Sequence, residues 1–524
     1  MIGAIERKTA RFQPGARNLC HRSVRSRLAS QRPVVQSLRI LAASLCAGLV
    51  ALGPVRGWTD PPSDAGVEPA PSSPELQAAA HAIAFDRVLG GASVGIAILD
   101  VDSGRMLAAD NEHLALNPAS NAKLYTAAAA LAMLHGEHRY ETTLSGRLEG
   151  DTVAGPLVLR GYGDPSLTTA DLWAMVQEVD AYGVKRISGD IFVDQRFFDE
   201  QTTPPAFEQQ PNEWSAFRAP VSAVALDENC VTLTVRPSSG GAARVQFQPF
   251  GFVDVDGTIR TAEPGTADNV ELVLSGNGSR MTAHVSGAIA ADSRLVRYTR
   301  RADDPRLLAG YALKALFENA GIKVTGEVRL GHEQDGQARV LAKHASAPLS
   351  SLLYALGKQS DNFYAEMIFK SLAGEIKGRP AKSGDAGDVV ARWLERVGAS
   401  DAGVVLKNGS GLFDADRVTA FSTVQLLRWA WRDPDVQPEY LAQLSIGGVD
   451  GTLRKRFRTE LAKRRVRAKT GTLDDVIALS GYIFRSGGKG PIALSVFFNH
   501  VAGKQDGARR AADRLAELVC SLER

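Results

Sequence analysis

The strongest constraint on the fold of this chain is a change of texture along it. Ser93–Asp100 alternates Val94, Ile96 and Ile98 with smaller residues, which predicts a strand, and Arg105–Ala109 returns after the turn Asp102-Ser103-Gly104. Asn117–Leu134 is rich in Ala and Leu, with Pro118 at its head, and predicts a helix. From Tyr140 to about Tyr298 the chain reads as short β-like runs, Thr152–Arg160, Val184–Asp194, Val224–Val235 and Val270–Leu274, separated by Gly, Pro and Asp. Helical texture returns at Arg306–Ala320 and Leu349–Phe369. The end of the chain predicts a hairpin, Val476–Phe484 with Ile492–Phe498, and an amphipathic helix, Asp506–Leu522. This layout predicts an α/β (α+β) domain built from 75–139 and 300–524, in which the segment 93–109 meets the hairpin 476–498. Residues 140–299 form a mostly β inserted region, read as two small domains.

Net charge is +3 over 524 residues, but it is unevenly placed. Residues 1–57 hold ten Lys and Arg against one Glu, so the other 467 residues carry −6. A mildly acidic body argues against a nucleic-acid partner. The basic stretch, the apolar run Ile40–Val55 and the small residues near Gly57 read as a signal peptide with a long basic n-region. An uncleaved anchor, or acylation at Cys46, are the alternatives there. Residues 58–74, rich in Pro, Ser, Asp and Ala, read as a linker. Cys230 and Cys520 are expected to stay unpaired, since two distant cysteines make no disulfide framework. His135-Gly-Glu-His138 falls where the Ala-rich helix stops and is read as helix-terminal rather than as a metal site.

Three short motifs carry chemistry: Ser120-Asn121-Ala122-Lys123, Ser360-Asp361-Asn362 and Lys469-Thr470-Gly471, followed by Thr472. Positions i and i+3 share a helix face, so Lys123 can reach the Ser120 hydroxyl. A lysine acts as a base near neutral pH only when its charged form is disfavoured, by burial or by a second cation such as Lys469. Ser360 and Asn362, two apart on a loop or turn, can point the same way. The hydroxyl can relay a proton and the carboxamide can hold a substrate amide. On the predicted strand Val466–Thr472, Gly471 would admit a substrate backbone, and Lys469, Thr470 and Thr472 offer donors to a carboxylate. Each motif alone is weak; the three in order match the signature of β-lactamases and penicillin-binding proteins.

The chain resembles the low-molecular-mass class C penicillin-binding proteins, serine D-alanyl-D-alanine carboxypeptidases and endopeptidases with a large insert between the first two motifs. Here Ser120 and Ser360 are 240 positions apart, and Ser360 and Lys469 only 109. Gly163-Asp164-Pro165-Ser166-Leu167, Gly409-Ser410-Gly411-Leu412 and Gly448-Val449-Asp450-Gly451-Thr452-Leu453 carry the same resemblance, from about residue 75 to 515. It implies a penicillin-recognising, transpeptidase-like (serine β-lactamase-like) domain. Ser120 would be the nucleophile, Lys123 the general base and Ser360 a proton relay. Asn362, Lys469, Thr470, Gly471 and Thr472 would bind substrate, with the N–H groups of Ser120 and Thr472 as oxyanion hole. The implied partners are peptidoglycan stem peptides, with β-lactams as inhibitors, and no cofactor or metal. The implied location is the periplasm, soluble or loosely membrane-associated. Asn408 stands where the family commonly has Asp, so a carboxylate role there is lost, while the neighbouring loop is expected to survive. Residues Asn212–Phe217 are candidates to approach the site.

Two other functions compete. A class A β-lactamase uses a glutamate in an E-x-x-L-N element between the second and third motifs. After Asn362 the chain has only Asn408 and Asn499, neither following such a glutamate. A non-catalytic β-lactam sensor or wall-binding scaffold would keep the same motifs without turnover.

Overall fold

The computed structural model describes residues 73–333 and 336–523. The signal-peptide reading and nearly all of the linker lie outside them. Pro74, the last residue read as linker, instead opens the helix Pro74–Ala84, capped by the Ser73 side chain.

A six-stranded antiparallel sheet supports the site. Its order is Ser445–Ile446, Val466–Thr472, Val476–Ile483, Ile492–Asn499, Ser93–Asp100 and Met106–Asp110. The two ends of the chain meet in it: Ser93–Asp100 pairs along its whole length with Ile492–Asn499, Ser93 opposite Asn499 and Asp100 opposite Ile492. Both faces are covered, so Val476–Ile483 and Ile492–Asn499 are buried throughout. Alternate residues serve different cores. Val94, Ile96, Ile98, Leu494, Val496 and Phe498 pack with the terminal helices Pro74–Ala84 and Gln505–Leu522. Ala97, Leu99, Ala493 and Phe497 face Ala122–Leu134, Asn362–Ile376 and Ala420–Arg432. Full burial of one such large apolar side chain contributes roughly 1.5–3 kcal/mol.

The inserted region holds a separate core. Glu141–Glu149 pairs antiparallel with Thr152–Gly161 and with Arg339–Ala345; Ile191–Asp194 runs parallel to Thr152–Gly161 and to Val328–Leu330. Helices Thr169–Ala181 and Leu308–Asn319 contribute to the same core. Between them lie two three-stranded sheets. One is centred on Cys230–Arg236; the other joins Val253–Gly257, Glu271–Asn277 and Arg280–Ser286. The sheet begun at Glu141 thus ends at Ala345, so Leu308–Asn319, Val328–Leu330 and Arg339–Ala345, from the segment read as main domain, pack with the strands of the insert.

A second difference lies at Leu349–Phe369. The helical texture read over this span is interrupted at the second motif, where the sequence predicts a loop or turn: Leu349–Tyr354 passes into a single π turn, Ala355–Gln359, and Ser360 is left-handed with φ 62°. Asp361 then caps a new helix, Asn362–Ile376, by accepting from Tyr364 N–H at 3.0 Å. Cys230 and Cys520 are both free and buried. Among the described residues no helix is long and apolar enough to cross a membrane, and no group of three or more His, Cys, Asp or Glu is placed to hold a metal ion.

Candidate active site

The turn carrying Ser120 is held on all sides before any chemistry is considered. Ala119–Asn121 forms a 3-10 turn leading into the helix Ala122–Leu134, so Ser120 sits ahead of the regular helix. Ala119 has φ 44°, a conformation that a non-glycine residue keeps only when its surroundings enforce it. The Asn117 side chain accepts from Ala119 N–H at 2.8 Å and donates to the Phe413 carbonyl at 3.0 Å. Asn117's own backbone exchanges two hydrogen bonds with the Asn499 carboxamide, at 2.8 and 3.0 Å. Two glycines make the room. A Cβ on Gly411, itself at φ +71°, would lie 1.8 Å from the Ala119 carbonyl oxygen, and one on Gly471 would lie 2.8 Å from that of Pro118. The sequence reading gave Gly471 to a substrate backbone; in the structure it admits the chain just before Ser120.

The three motifs converge there. Lys123 is completely buried, and its Nζ donates to Ser120 Oγ at 3.1 Å, Asn362 Oδ1 at 2.7 Å and the Ser410 carbonyl at 2.7 Å. An ammonium has three donors, and these three acceptors use them all. Burial pulls the Lys123 amine down to about 8, against the opposing pull of Glu366, Asp361 and Asp416. Of the two causes the sequence offered, burial and a second cation such as Lys469, burial is the one that depresses Lys123. The repulsion between the two lysines is felt at Lys469, which burial holds well below the usual lysine range and Lys123 lowers further.

Lys469, also fully buried, donates to Ser360 Oγ at 2.7 Å and to the Thr470 carbonyl at 2.8 Å. Its head therefore faces Ser360 and not open space. Thr470 Oγ1 donates to Thr452 Oγ1 at 2.9 Å, while Thr472 is exposed. Thr472 lines a cleft of about 460 Å³ together with Asn117, Phe217, Leu412, Arg417 and Asp474. Phe217 comes from the insert, so the expected approach of Asn212–Phe217 is met; its carbonyl accepts from Asn362 Nδ2 at 2.9 Å.

Sequence reasoning missed the support beneath these residues. Glu366 lies one helical turn after Asn362 and is buried; its two oxygens accept from Gly409 and Ser410 N–H, at 3.1 and 2.8 Å. Burial raises its acid, and it fixes the loop whose Ser410 carbonyl faces Lys123. Asp416, buried and pushed up to about 7 by that burial, accepts from Lys407 and Asn408 N–H. Asn408 Oδ1 accepts from Gly411 N–H at 2.8 Å and its Nδ2 donates to the Leu412 and Pro205 carbonyls, so the loop holds its shape with an amide in the place of the family's carboxylate. The signal available was an acidic residue at i+4 from Asn362, on a helix otherwise apolar around it. His138 of the H-x-x-H pair packs edge-on against Tyr140.

A serine hydroxyl bonded to a lysine amine lowered toward neutrality, which also holds Asn362, and a second lysine-bound serine two positions before that Asn suit attack on a carbonyl through an acyl intermediate. The model of the D-Ala-D-Ala carboxypeptidase 3 (S13) family matches residues 76–519. The chain belongs to this family. It is 36% identical over 451 residues to a D-alanyl-D-alanine carboxypeptidase of Actinomadura sp. (strain R39), covering 82% of each chain. It is 26% identical over 441 residues to the D-alanyl-D-alanine carboxypeptidase DacB of Haemophilus influenzae, covering 82% of this chain and 89% of that one. The crystal structure of penicillin-binding protein 4 from Haemophilus influenzae superposes with a TM-score of 0.70 at 24% identity, covering 84% of this chain and 98% of that one. The fold is thus the penicillin-recognising, serine β-lactamase-like one, and this S13 protein is a serine-type D-Ala-D-Ala peptidase of peptidoglycan.

Proposed function

We propose that the cleft beside Thr472 receives the D-Ala-D-Ala end of a peptidoglycan stem peptide and that Ser120 attacks its penultimate carbonyl. The observation that carries this reading is the seat of Lys123, whose Nζ spans Ser120 Oγ, Asn362 Oδ1 and the Ser410 carbonyl in a fully buried site. The neutral amine takes the Ser120 proton as Oγ bonds to carbon. The oxyanion is held by the N–H groups of Ser120 and Thr472. When the C–N bond breaks, the proton taken by Lys123 is passed to the leaving D-Ala nitrogen by way of Ser360, which Lys469 Nζ donates to at 2.7 Å, and Lys123 is neutral again. Water then attacks the ester and restores Ser120. Asn362 holds the substrate amide, the Thr470 and Thr472 hydroxyls meet the carboxylate, and Lys469, whose Nζ donates to Ser360 Oγ and the Thr470 carbonyl, acts on it through Ser360 rather than by direct contact. β-Lactams would acylate Ser120 by the same attack, as expected of relatives of a protein whose structure was also solved in complex with a β-lactam. The chain would act after export, in the periplasm, on terminal D-Ala and on D-Ala-linked cross-bridges, with 141–345 as the inserted part.

The β-lactamase alternative is disfavoured by the position of Glu366. This carboxylate lies near Lys123, but it is buried beneath the Gly409–Ser410 loop, whose N–H groups its two oxygens accept from, so it is not presented to a deacylating water.

The test is release of D-Ala from a pentapeptide and of fragments from cross-linked peptidoglycan, with wild type and Ser120→Ala. The variant is expected to fold, to release nothing and to take no covalent penicillin label. Continued labelling would place the nucleophile elsewhere. Labelling by wild type without any turnover would favour a sensor or scaffold. For the carboxylate assignment, Thr472→Val deletes a hydroxyl but keeps the N–H. It is expected to lower kcat/KM for the free acid more than for the C-terminal amide; equal losses on both would sink it.

A further inference from the structure

The insert touches Asn362 through a backbone atom, the Phe217 carbonyl that accepts from Asn362 Nδ2 at 2.9 Å. The loop bearing it is held by two arginines. Arg218, buried, donates to the Phe207 and Glu213 carbonyls, the latter at 2.8 Å. Arg301, also buried, donates to the Glu213 and Pro211 carbonyls at 2.9 and 3.0 Å, and its guanidinium lies 4.5 Å from the Trp214 ring centre. Arg301 N–H also donates to the Trp214 carbonyl, joining the loop to the strand Val296–Arg301.

We infer that Arg218 and Arg301 are positioning residues for catalysis, which fix the Asn362 carboxamide by fixing the Phe217 carbonyl. The reasoning rests on the reading of Lys123 as base. A carboxamide has an acceptor end and a donor end. While Lys123 is an ammonium, it holds the Asn362 oxygen toward itself, and a flipped amide would set donor against donor. The active form is the neutral amine, and its lone pair is then an acceptor. A flipped Asn362 could donate to that lone pair and occupy the very electrons that must take the Ser120 proton. In the flipped state the Asn362 oxygen would face the Phe217 carbonyl, two acceptors with no proton between them. The Phe217 carbonyl therefore penalises the flip in the protonation state where Lys123 no longer does. It also engages only one of the two amide hydrogens, leaving the other for substrate. The insert is in this way part of the catalytic apparatus as well as a wall of the cleft.

The experiment is a double-mutant cycle on acylation by a soluble β-lactam, separating the first-order acylation constant from the half-saturating concentration. Wild type, Arg218→Met, Asn362→Ala and the double variant are compared, with thermal unfolding as a check on folding. Arg218→Met is expected to lower the first-order constant by about tenfold or more. It should have less than about a twofold further effect once Asn362 is alanine. Arg218→Lys, which keeps a donor for the carbonyls, should recover part of the loss. If Arg218→Met does not fold, Arg301→Gln replaces it in the same cycle. Equal losses with and without Asn362, or a loss confined to the half-saturating concentration, would overturn the inference. If Asn362→Ala acylates like wild type, the reading of the site itself falls, a result distinct from either.

Discussion

The ground around Ser120 and the small sheet of the insert differ in what their polar residues do. Around Ser120 five charged and amide side chains, Lys123, Glu366, Asn408, Asp416 and Lys469, are essentially inaccessible to water and each has a named partner, while the Asn121 carboxamide is buried without one. In the sheet of Val253–Gly257, Glu271–Asn277 and Arg280–Ser286, one face covers a core through Leu274, Met281, Ala283 and Val285, and the other is wet. Its polar pairs, Arg280 with Asp254 and His284 with Asp256, lie at the surface, and Val255 and Val273 are exposed. Burial turns a polar side chain into a positioning device, since a mispaired group there costs roughly 1–3 kcal/mol or more. The same side chain in water is worth little. At the site Ala119 adopts left-handed backbone where the Asn117 side chain holds its N–H and Gly411 presses against its carbonyl.

The comparison breaks most visibly at Lys123. Lys123→Ala should retain the fold and slow acylation on the order of 10²–10⁴-fold, the usual contribution of a general base. With an amine at about 8, only the deprotonated lysine can accept the Ser120 proton. The acylation rate of wild type should therefore climb with pH, by about tenfold between pH 7 and pH 9 as the neutral fraction rises from about a tenth to about nine-tenths. A flat profile from stopped-flow acylation would remove Lys123 as base. The sign for stability is the same. Lys123 is depressed in the folded state, so the unfolded chain binds more protons between about 8 and its ordinary value. Its contribution thus becomes more favourable as pH rises through that window.

Next in size is Gly411→Ala. A Cβ placed 1.8 Å from the Ala119 oxygen, on a residue at φ +71°, forces the Ser120 turn and the Ser410 loop apart. Thermal unfolding should register a loss of at least about 3 kcal/mol, and covalent penicillin labelling should slow with it. Unchanged labelling in a folded variant would mean that the two loops move independently. The smallest effect belongs to the insert. Val273→Thr, on the wet face of the small sheet, should shift stability by less than about 0.5 kcal/mol and leave acylation as it is. A larger shift would show that this face is covered in the working protein.

Much of this was legible in the chain because some elements carry their own signals. Ser93–Asp100 and Val466–Thr472 fall where alternation and the third motif predict them, and the closing hairpin and helix differ by a residue or two at their ends. The insert's far edge was not legible. Lys323–Val324 and Val328–Leu330 are too short to show a period, and they become strands only because Arg186–Ile187 and Ile191–Asp194 offer them partners. The turn at Ser360–Asn362 was legible from the second motif, but the π turn Ala355–Gln359 before it was not, because so short a run shows no period of its own.

By itself the sequence determined which groups would meet. Spacing on a helix puts Ser120 and Lys123 on one side, Ser360 and Asn362 flank a turn, and an alternating strand presents Lys469 and its threonines, because these relations span a few residues and follow from local backbone geometry. Only the tertiary structure decided what those groups would be. Burial, not a neighbouring cation, sets the Lys123 amine near neutrality. Glu366 and the Ser410 carbonyl orient that amine, Gly411 and Gly471 open space for the Ser120 turn, and the Phe217 carbonyl reaches Asn362 from 145 positions away. Solvation and backbone carbonyls leave no mark on the identity of a residue, and they come into play only when distant segments close over one another.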